Sequence, residues 1–206
     1  MTGNKVCSII CGAPDGSIDK SLTEGLVICA DKGLDHAIAA GITPDIVVGD
    51  FDSSCTAVPE GMECIRVSPI KDDTDAVLAA ETAIEHGCNE LRFFCAVGGR
   101  FDHTFANVQM LEYLHKKGVS AVLYGGSESI RLLHSGEKAE LARFGGFVSV
   151  FALTESAVIS ETGMKYPLDK HRIERSFPLG VSNEISEETG VISVHEGTII
   201  LTEYHE

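Results

Sequence analysis

Pro44-Asp45-Ile46-Val47-Val48-Gly49-Asp50-Phe51-Asp52-Ser53 places two acidic residues directly after a short apolar run. The apolar residues predict a buried strand that ends at Gly49. Side chains alternate along an extended chain, so Asp50 and Asp52 are expected on one side and Phe51 on the other. Two carboxylates held this close repel each other unless a cation lies between them. The stretch therefore predicts a Mg²⁺ site, and Mg²⁺ beside carboxylates indicates phosphate chemistry.

Similar apolar runs recur on both sides of this stretch and alternate with helical patterns. Strands are predicted at residues 6–11, 26–30, 46–48, 63–67, 91–97 and 120–124, and helices at residues 34–40, 74–86 and 101–117. The inner face of the last helix is expected to carry Phe105, Val108, Leu111 and Leu114. Strands that alternate with helices predict an α/β fold, with a mostly parallel, Rossmann-like sheet covered by helices on both faces.

The pattern changes after Gly126. Short β-strands are predicted at residues 130–133, 147–153, 156–160, 191–195 and 198–202, with a hairpin turn at His195-Glu196-Gly197. No convincing amphipathic helix occurs in this part, which favours a small all-β, sandwich-like domain. We therefore expect two domains, residues 1–126 and residues 127–206.

The composition limits the classes of partner. The 206 residues are 44% hydrophobic and 23% charged, which is an ordinary globular balance. The formal net charge of −15 disfavours binding to nucleic acid or to an anionic membrane surface. A polyphosphate substrate is also repelled, unless a metal and local cations reverse the field within the site.

Cysteine usage and the absence of targeting patterns bear on location. The seven cysteines form no Cys-x-x-Cys pair, and several lie within apolar runs, which predicts buried, reduced thiols in a cytoplasmic protein. Neither a signal peptide nor an apolar run of membrane-spanning length is recognised, so no membrane partner is expected.

Acidic and glycine residues gather where the predicted parallel strands end. They are Asp31, Asp50, Asp52, Lys71-Asp72-Asp73-Thr74-Asp75 and Gly98-Gly99-Arg100-Phe101-Asp102-His103. Each one alone is typical of a helix cap or a tight turn. Because the carboxyl ends of parallel strands meet at one edge of a sheet, their joint occurrence there favours a ligand site.

The chemistry that fits these residues is metal-assisted phosphoryl or pyrophosphoryl transfer. Carboxylates can hold Mg²⁺, which neutralises charge on phosphate oxygens. The backbone amides of Gly98 and Gly99 can bind phosphate, and Arg100 or Lys71 can pair with its oxygens. A remaining carboxylate can accept the proton of an attacking hydroxyl. No Gly-x-x-x-x-Gly-Lys-Ser/Thr loop is present, which argues against a standard P-loop site.

The order and spacing of these motifs resemble those of the thiamine pyrophosphokinase family. Glu161-Thr162-Gly163-Met164-Lys165-Tyr166-Pro167-Leu168 and Ser182-Asn183-Glu184 also resemble that family, and the match runs from about residue 5 to residue 204. The resemblance implies transfer of a diphosphate from ATP to the hydroxyl of thiamine, which gives thiamine diphosphate and AMP. It further implies Mg²⁺ and a homodimer with active sites between subunits, with ATP and Mg²⁺ on the first domain and thiamine on the second.

The resemblance also assigns roles to individual residues. It implies metal ligation by Asp50, Asp52, Asp72 and Asp75, and catalytic roles for Asp50, Asp75, Asp102 and Arg100. Nucleotide binding is expected of Asp31, Lys71, Thr74, Gly98, Gly99 and His103, and thiamine binding of Ser182 and Asn183. Aromatic candidates for the thiamine rings are Tyr166, Phe177 and Tyr204, although aromatic residues of this kind are more often part of a protein core than ligand contacts.

Three alternatives remain open at this level. The same sheet-edge residues suit a pyrophosphokinase for a pterin-like alcohol, although the Ser182-Asn183 region favours thiamine. An apolar strand followed by Asp50-Phe51-Asp52 also resembles the nucleophile motif of haloacid-dehalogenase-type phosphatases, but that motif normally opens its domain. A non-enzymatic nucleotide or metal sensor would explain the acidic residues but not the second domain.

Overall fold

The structure, a computed structural model, describes residues 3–14, 16–49, 63–66 and 74–206. The chain divides into two compact units, Met1–Gly126 and Ser127–Glu206. Among the described residues, no helix is both long enough and apolar enough to cross a membrane.

The described part of the first unit contains a parallel sheet. In spatial order its strands are β6 (Ser120–Tyr124), β5 (Glu90–Phe94), β1 (Val6–Ile10), β2 (Leu26–Ala30), β3 (Ile46–Gly49) and β4 (Glu63–Arg66). Every neighbouring pair is parallel. The chain steps outward from β1 to β4 and then returns to the other side of β1, so the strand order reverses between β1 and β5. A reversal of this kind opens a crevice at the carboxyl ends of the two strands.

In the described part of the first unit, three helices connect these strands. They are α1 (Gly33–Ala39), α2 (Asp75–Glu85) and α3 (Phe101–Lys116), at the predicted places. Thr74 caps α2, because its hydroxyl oxygen accepts a hydrogen bond from the Val77 N–H at 3.4 Å. The side chains of Leu34 and Ala37 on α1 pack against Ile10, Cys29 and Val47 of the sheet.

The prediction for the inner face of α3 is partly wrong. Leu111 and Leu114 are buried as expected, but Phe105 is exposed and stacks on the exposed Phe101 with ring centroids 5.9 Å apart. The buried residue of that turn is Asn107, whose side-chain amide donates to the Ala96 carbonyl at 2.8 Å. A polar residue thus occupies the inward position, because it satisfies a backbone group of the loop after β5.

The second unit consists of two antiparallel sheets. One contains β12 (Gly180–Asn183), β9 (Gly146–Ala152), β14 (Thr198–His205) and β7 (Glu128–His134), in that spatial order. The other contains β11 (Leu168–Glu174), β10 (Ser156–Thr162), β13 (Thr189–Glu196) and β8 (Lys138–Ala142). One cluster of buried side chains includes members of both, among them Val148, Leu201, Ile159 and Ile192. The two sheets therefore pack face to face over a shared core.

The predicted hairpin at residues 195–197 is wrong. Strands β13 and β14 are consecutive in the chain but pair with different partners, β13 with β8 and β10, and β14 with β7 and β9. Gly197 turns the chain from one sheet to the other with φ 78°, and a Cβ there would lie 2.6 Å from the Ser156 carbonyl oxygen. The alternating pattern predicts which side chains of β13 and β14 are buried, but it does not predict the partner strand. The same side chains would be buried if the two strands paired with each other as a hairpin or if they lay in different sheets.

Candidate active site

The loop after β1 joins three strand ends at the carboxyl edge of the parallel sheet. A Cβ at Gly12 would lie 2.9 Å from the Cβ of Lys32, the residue that precedes α1. A Cβ at Gly16 would lie 2.5 Å from that of Cys95, after β5. The loop therefore lies between the segments that follow β2 and β5 and approaches both more closely than a side chain would allow.

Asp31 follows β2 and has an unusual environment. Its backbone adopts φ 45°, a left-handed conformation that an aspartate tolerates better than most residues. Its Oδ1 is buried and has no hydrogen-bond partner within the described chain. A Cβ at Gly49, the residue before Asp50, would lie 3.3 Å from the Cβ of Asp31. Burial of a carboxylate oxygen without a hydrogen-bond donor costs free energy, so the site is suited to a cation or to a ligand that donates a hydrogen bond.

The glycine turn after β5 is fixed by side chains of α3. Gly98 and Gly99 have φ 113° and 65°, conformations that favour glycine. The Gly98 N–H donates to the Thr104 hydroxyl oxygen at 3.2 Å. A Cβ at Gly99 would lie 2.7 Å from Cδ of Pro14, so this turn also packs on the loop after β1. The predicted phosphate-binding glycines thus lie at the start of a helix and beside the crevice between β1 and β5.

Arg100, Asp102 and His103 lie at the N-terminus of α3. The Arg100 guanidinium donates from Nε to Oδ1 of Asp102 at 3.1 Å and from Nη2 to Oδ2 at 2.5 Å. Oδ1 of Asp102 also accepts from the His103 N–H at 3.1 Å. The hydrogen bonds from Arg100 lower the pKa of Asp102 below its ordinary value, and the same pairing raises that of Arg100. A carboxylate with a lowered pKa is a weak base, so Asp102 is better suited to orienting Arg100 than to removing a proton.

Asp75 is the first residue of α2, the helix that follows β4 in the chain and packs against β1, β2 and β3. Burial is the main reason that the pKa of the Cys11 thiol is raised, the neighbouring Cys95 and Cys29 add to it, and the charge of Asp75 adds further. Because α2 follows a parallel strand, it begins at the carboxyl edge of the sheet, and Asp75 lies at that end of the helix. Asp75 and Asp31 thus lie at the same edge of the sheet as the Gly98-Gly99 turn.

Four of the predicted site residues, Asp50, Asp52, Lys71 and Asp72, lie outside the described residues. Within residues 3–14, 16–49, 63–66 and 74–206, no group of three metal-ligating side chains is gathered. The predicted ligands are all carboxylates, which are the hard oxygen donors that Mg²⁺ prefers. Together with the unpartnered oxygen of Asp31, this donor chemistry fits a divalent cation of that type.

Ser182 and Asn183 lie at the end of β12 in the second unit and differ in exposure. Ser182 is exposed with φ 59°, and its N–H donates to the Ser149 hydroxyl oxygen at 3.0 Å. Asn183 is only 8% exposed, and its side-chain amide is bonded to protein groups. Ser182 thus presents its side chain to the surface, whereas Asn183 is part of the interior.

Of the aromatic candidates for the thiamine rings, all three are exposed on the second unit. Tyr166 is 62% exposed, and the Lys165 ammonium lies 5.7 Å from its ring centroid. Phe177 and Tyr204 lie elsewhere, Phe177 in the loop between β11 and β12 and Tyr204 near the end of β14. The backbone of Tyr166 is hydrogen-bonded to Asn183, which connects it to the Ser182-Asn183 motif.

Sequence reasoning missed two polar residues that hold these segments, Thr104 and Asn107, and gave no role to a third, Glu161, although it lies in a quoted motif. Thr104 and Asn107 bond to the loop after β5, and Glu161 is a buried carboxyl bonded to Asn183. Thr104 and Asn107 are spaced three residues apart in α3, a spacing that would place them on one helix face. Glu161 occupies a buried position of β10 in which the alternating pattern predicts an apolar residue. A polar residue at such a position indicates a buried hydrogen bond, and this was the signal that could have identified Glu161.

The sequence matches models of two domains of one family. One is described as "Thiamin pyrophosphokinase, catalytic domain" and matches residues 21–123. The other is described as "Thiamin pyrophosphokinase, vitamin B1 binding domain" and matches residues 134–199.

Relatives along the full length agree with these matches. The chain is 30% identical to thiamine pyrophosphokinase from Bacillus subtilis (strain 168), over 96% of this chain and 97% of that protein. The crystal structure of thiamine pyrophosphokinase from Bacillus subtilis matches with a TM-score of 0.86 at 27% identity and covers 98% of this chain and 100% of that chain. Thiamin pyrophosphokinase from Geobacillus thermodenitrificans matches with a TM-score of 0.83 at 25% identity and covers 98% of each chain.

Proposed function

The chain belongs to the thiamin pyrophosphokinase family, and from this we propose how its residues carry out the family's reaction. The activity is transfer of a diphosphate from ATP to the hydroxyl group of thiamine, which gives thiamine diphosphate and AMP. Because AMP leaves, the thiamine oxygen bonds to the β-phosphorus while the bond from that phosphorus to the α-phosphate oxygen breaks. The chain must therefore hold ATP and thiamine in line and neutralise the charge that develops on the phosphates.

We assign ATP to the first unit. The observation that carries this assignment is the position of Asp31, Asp75 and the Gly98-Gly99 turn at one edge of the parallel sheet, in the segments that follow β2, β4 and β5. The Gly98 and Gly99 backbone and the N-terminus of α3 are suited to the phosphates, with His103 beside them. Arg100 supplies a cation oriented by Asp102, and Lys71 is proposed to supply a second one.

We propose that Asp50, Asp52, Asp72 and Asp75 hold Mg²⁺. Mg²⁺ held by these carboxylates would supply positive charge that neutralises the phosphates of ATP. The carboxylates of the chain then serve two purposes, since those not bound to the metal can accept the proton of the thiamine hydroxyl. The carboxyl of Asp102 is the least suited to this because its pKa is lowered by Arg100.

We assign thiamine to the second unit, with Ser182 and Tyr166 as contacting residues. Both side chains are exposed, and both flank the buried Asn183 amide, Ser182 in sequence and Tyr166 by hydrogen bonds. Thiamine carries a fixed positive charge, so the net charge of −15 favours its approach. An aromatic ring beside a hydroxyl is suited to a cationic heterocycle with polar edges.

Two features of the assembly belong to the same proposal. The protein is proposed to act as a homodimer with active sites between subunits, and the sheet of the first unit to be Rossmann-like with helices on both faces. The packing of α1 on Ile10, Cys29 and Val47 supports the helix on one face. The chain moves across the sheet in one direction from β1 to β4 and in the other direction from β4 to β5. Because crossover connections between parallel strands are right-handed, such a change of direction places the connecting helix on the opposite face of the sheet.

A cytoplasmic location is also proposed. The described cysteines, at positions 7, 11, 29, 64, 88 and 95, are all free thiols. Burial raises the pKa of Cys29 to about 12 and that of Cys95 to about 11, so these thiols stay protonated and unreactive. Buried, unpaired thiols are typical of a reducing compartment.

The activity is tested by incubating the protein with ATP, Mg²⁺ and thiamine and separating the products. AMP and thiamine diphosphate are expected in equal amounts. Formation of ADP, or AMP release that does not depend on thiamine, would contradict the assignment. A panel of alcohol acceptors that includes a pterin-like alcohol tests the acceptor, with thiamine expected to be preferred.

A further inference from the structure

The second unit contains a carboxyl group that the reaction does not use. Glu161 lies on β10 and is 3% exposed. Its Oε2 accepts a hydrogen bond from Nδ2 of Asn183 at 2.5 Å. Burial of a carboxyl opposite Ile192 of β13, on the face of β10 that also carries Ile159, is costly unless a hydrogen bond compensates for it.

The bond to Glu161 completes the hydrogen bonding of the Asn183 amide. Nδ2 also donates to the Tyr166 carbonyl oxygen at 2.9 Å. Oδ1 accepts from the Tyr166 N–H and from the Glu184 N–H, both at 3.0 Å. An asparagine side chain has two donor hydrogens and two acceptor lone pairs, and all four are used here. The Asn183 amide is therefore not available to a ligand in this arrangement.

The segment that Asn183 holds is a tight turn between β10 and β11, residues 163–166. A Cβ at Gly163 would lie 2.2 Å from the Thr189 carbonyl oxygen, so a larger residue would displace the turn. The Lys165 N–H donates to the Glu184 carbonyl at 2.8 Å, and Met164 forms a β-bridge with Ile185. One amide thus fixes both backbone polar groups of Tyr166, while the ring of Tyr166 remains 62% exposed.

The Glu161 carboxyl can fix which way the Asn183 amide faces. An asparagine amide can rotate by half a turn and exchange its oxygen and nitrogen. With the amide reversed, Oδ1 would face the Glu161 oxygen and the Tyr166 carbonyl, which are both acceptors, and Nδ2 would face two N–H donors. The carboxyl at Glu161 therefore adds to the preference that the Tyr166 and Glu184 backbone groups already give to this orientation, whereas an apolar residue there would leave one amide hydrogen without an acceptor.

We infer that Glu161 is a positioning residue for thiamine, because it orients the Asn183 amide that fixes the backbone of Tyr166. This inference rests on the proposed binding of thiamine at Tyr166 and Ser182. It changes the expected role of Asn183 from a thiamine ligand to the link between Glu161 and the turn at residues 163–166. The function of the pair is thus to hold an exposed aromatic residue at a fixed place on the surface.

The inference is tested with Glu161→Leu and Glu161→Gln, each measured for kcat and for the KM of thiamine and of ATP. Leucine removes the acceptor, so the KM for thiamine is expected to rise about tenfold, which corresponds to one lost orienting hydrogen bond. The kcat and the KM for ATP are expected to change less than about twofold. Glutamine keeps an acceptor oxygen at the same place and is expected to restore a KM close to that of the parent protein. The matched control is Glu140→Leu, at an exposed position on β8 in the same sheet. It is expected to change neither kcat nor the KM of either substrate.

Thermal unfolding of the same variants separates positioning from a structural role. Glu161→Leu removes a buried acid but leaves one Asn183 amide hydrogen without an acceptor, so its unfolding temperature is expected to stay close to that of the parent protein while the KM for thiamine rises. An unchanged KM for thiamine in Glu161→Leu would overturn the inference. If leucine prevents folding, Glu161→Met replaces it, because methionine is unbranched and adapts to the space of a glutamate. A KM for thiamine that stays at the parent value in Glu161→Met would overturn the inference equally.

Failure of the underlying assignment gives a different result. Ser182→Ala and Tyr166→Ala are measured in parallel with the Glu161 variants. A raised KM for thiamine in these two, but not in Glu161→Leu, overturns the role of Glu161 alone. An unchanged KM in all of them overturns the assignment of thiamine to this surface.

Discussion

Single carboxyl groups in this protein differ in character because their surroundings differ. Asp102 is exposed and paired with Arg100, which lowers its pKa, whereas Glu161 is buried and its pKa is raised. Asp31 has a buried oxygen with no partner in the described chain. The three are suited to different roles, namely the orientation of a cation, the orientation of an amide, and contact with a cation or a donor.

Substitution of Asp75 tests the proposed metal site. Asp75→Asn is expected to lower kcat by about 100-fold or more. Removal of one anionic ligand weakens binding of the metal that would neutralise the phosphate charge in the transition state. The rate of AMP formation at saturating ATP and thiamine is the measurement. Thermal unfolding close to that of the parent protein is the control, since Asn can still begin a helix. A kcat within a few-fold of the parent value would remove Asp75 from the site.

Glu161 makes stability depend on pH in a defined direction. Burial raises the pKa of its carboxyl, and the hydrogen bond from Asn183 opposes this only partly. Between the ordinary glutamate pKa and the raised one, the native state binds more protons than the unfolded chain, so the free energy of unfolding falls as pH rises. Glu161→Gln lacks this group.

The measurement is the free energy of unfolding of both proteins in urea across that pH range. The value for Glu161→Gln minus that for the parent protein is expected to grow with pH through the window and to level off above it. Groups with lowered pKa values, such as Asp102, contribute equally to both proteins and cancel in the difference. A difference that does not vary with pH would show that the carboxyl titrates normally.

At the scale of the helix or strand, the ends of elements carry the chemistry and the middles carry the core. The N-termini of α2 and α3 present Asp75 and Arg100, whereas the buried faces of these helices are formed by residues such as Ala79, Ala83 and Leu114. The strands follow the same division, since the Gly98-Gly99 turn lies just after β5 and Asp31 just after β2. Loss of an end is therefore expected to affect the site more than the fold.

Substitution of Thr74 tests how much the cap at the start of α2 contributes to stability. Thr74→Ala is expected to lower the free energy of unfolding by about 1 kcal/mol, because the Val77 N–H loses its acceptor. Thr74→Ser retains an oxygen at the same position and is expected to differ from the parent protein by much less. Chemical denaturation of the three proteins is the measurement. Equal stability of the Ala and Ser variants would show that the cap contributes nothing.

At the scale of the whole molecule, the chain carries two units with different chemistry. The first contains the carboxylates and glycines suited to ATP, and the second contains the exposed Ser182 and Tyr166. The family models describe the corresponding parts as a catalytic domain and a vitamin B1 binding domain. The proposed homodimer is expected to have its active sites between subunits, so that residues of both subunits contribute to each site.

Mixed dimers test this combination. Asp75→Asn disables the first unit, and Ser182→Ala weakens the second, so each homodimer is expected to have low activity at low thiamine concentration. If sites form between subunits, a heterodimer of the two variants has one site with both units intact. Co-expression with two different affinity tags and tandem purification provides that heterodimer.

The heterodimer is expected to reach about half the activity of the parent dimer at low thiamine. Sites formed within single chains would give a heterodimer as inactive as the two homodimers. A mass of one chain, 22.0 kDa, for the parent protein in analytical ultracentrifugation would contradict the dimer itself.

The sequence by itself determined the alternation of strands and helices, the helix cap at Thr74 and the family, because these depend on local patterns and on ordered motifs. The tertiary structure alone decided three other features, namely the pairing of β13 and β14 with different sheets, the burial of Asn107 in place of Phe105, and the bond between Glu161 and Asn183. The predicted strands omitted β8, β11 and β12, whose charged or short sequences give a weak pattern. The periodicity of a sequence indicates which residues of one helix or strand face the core. It does not indicate which strand pairs with another or which group forms a hydrogen bond with a buried polar side chain, because these partners are distant in the chain. That choice is made by packing, which the pattern of a single element does not contain.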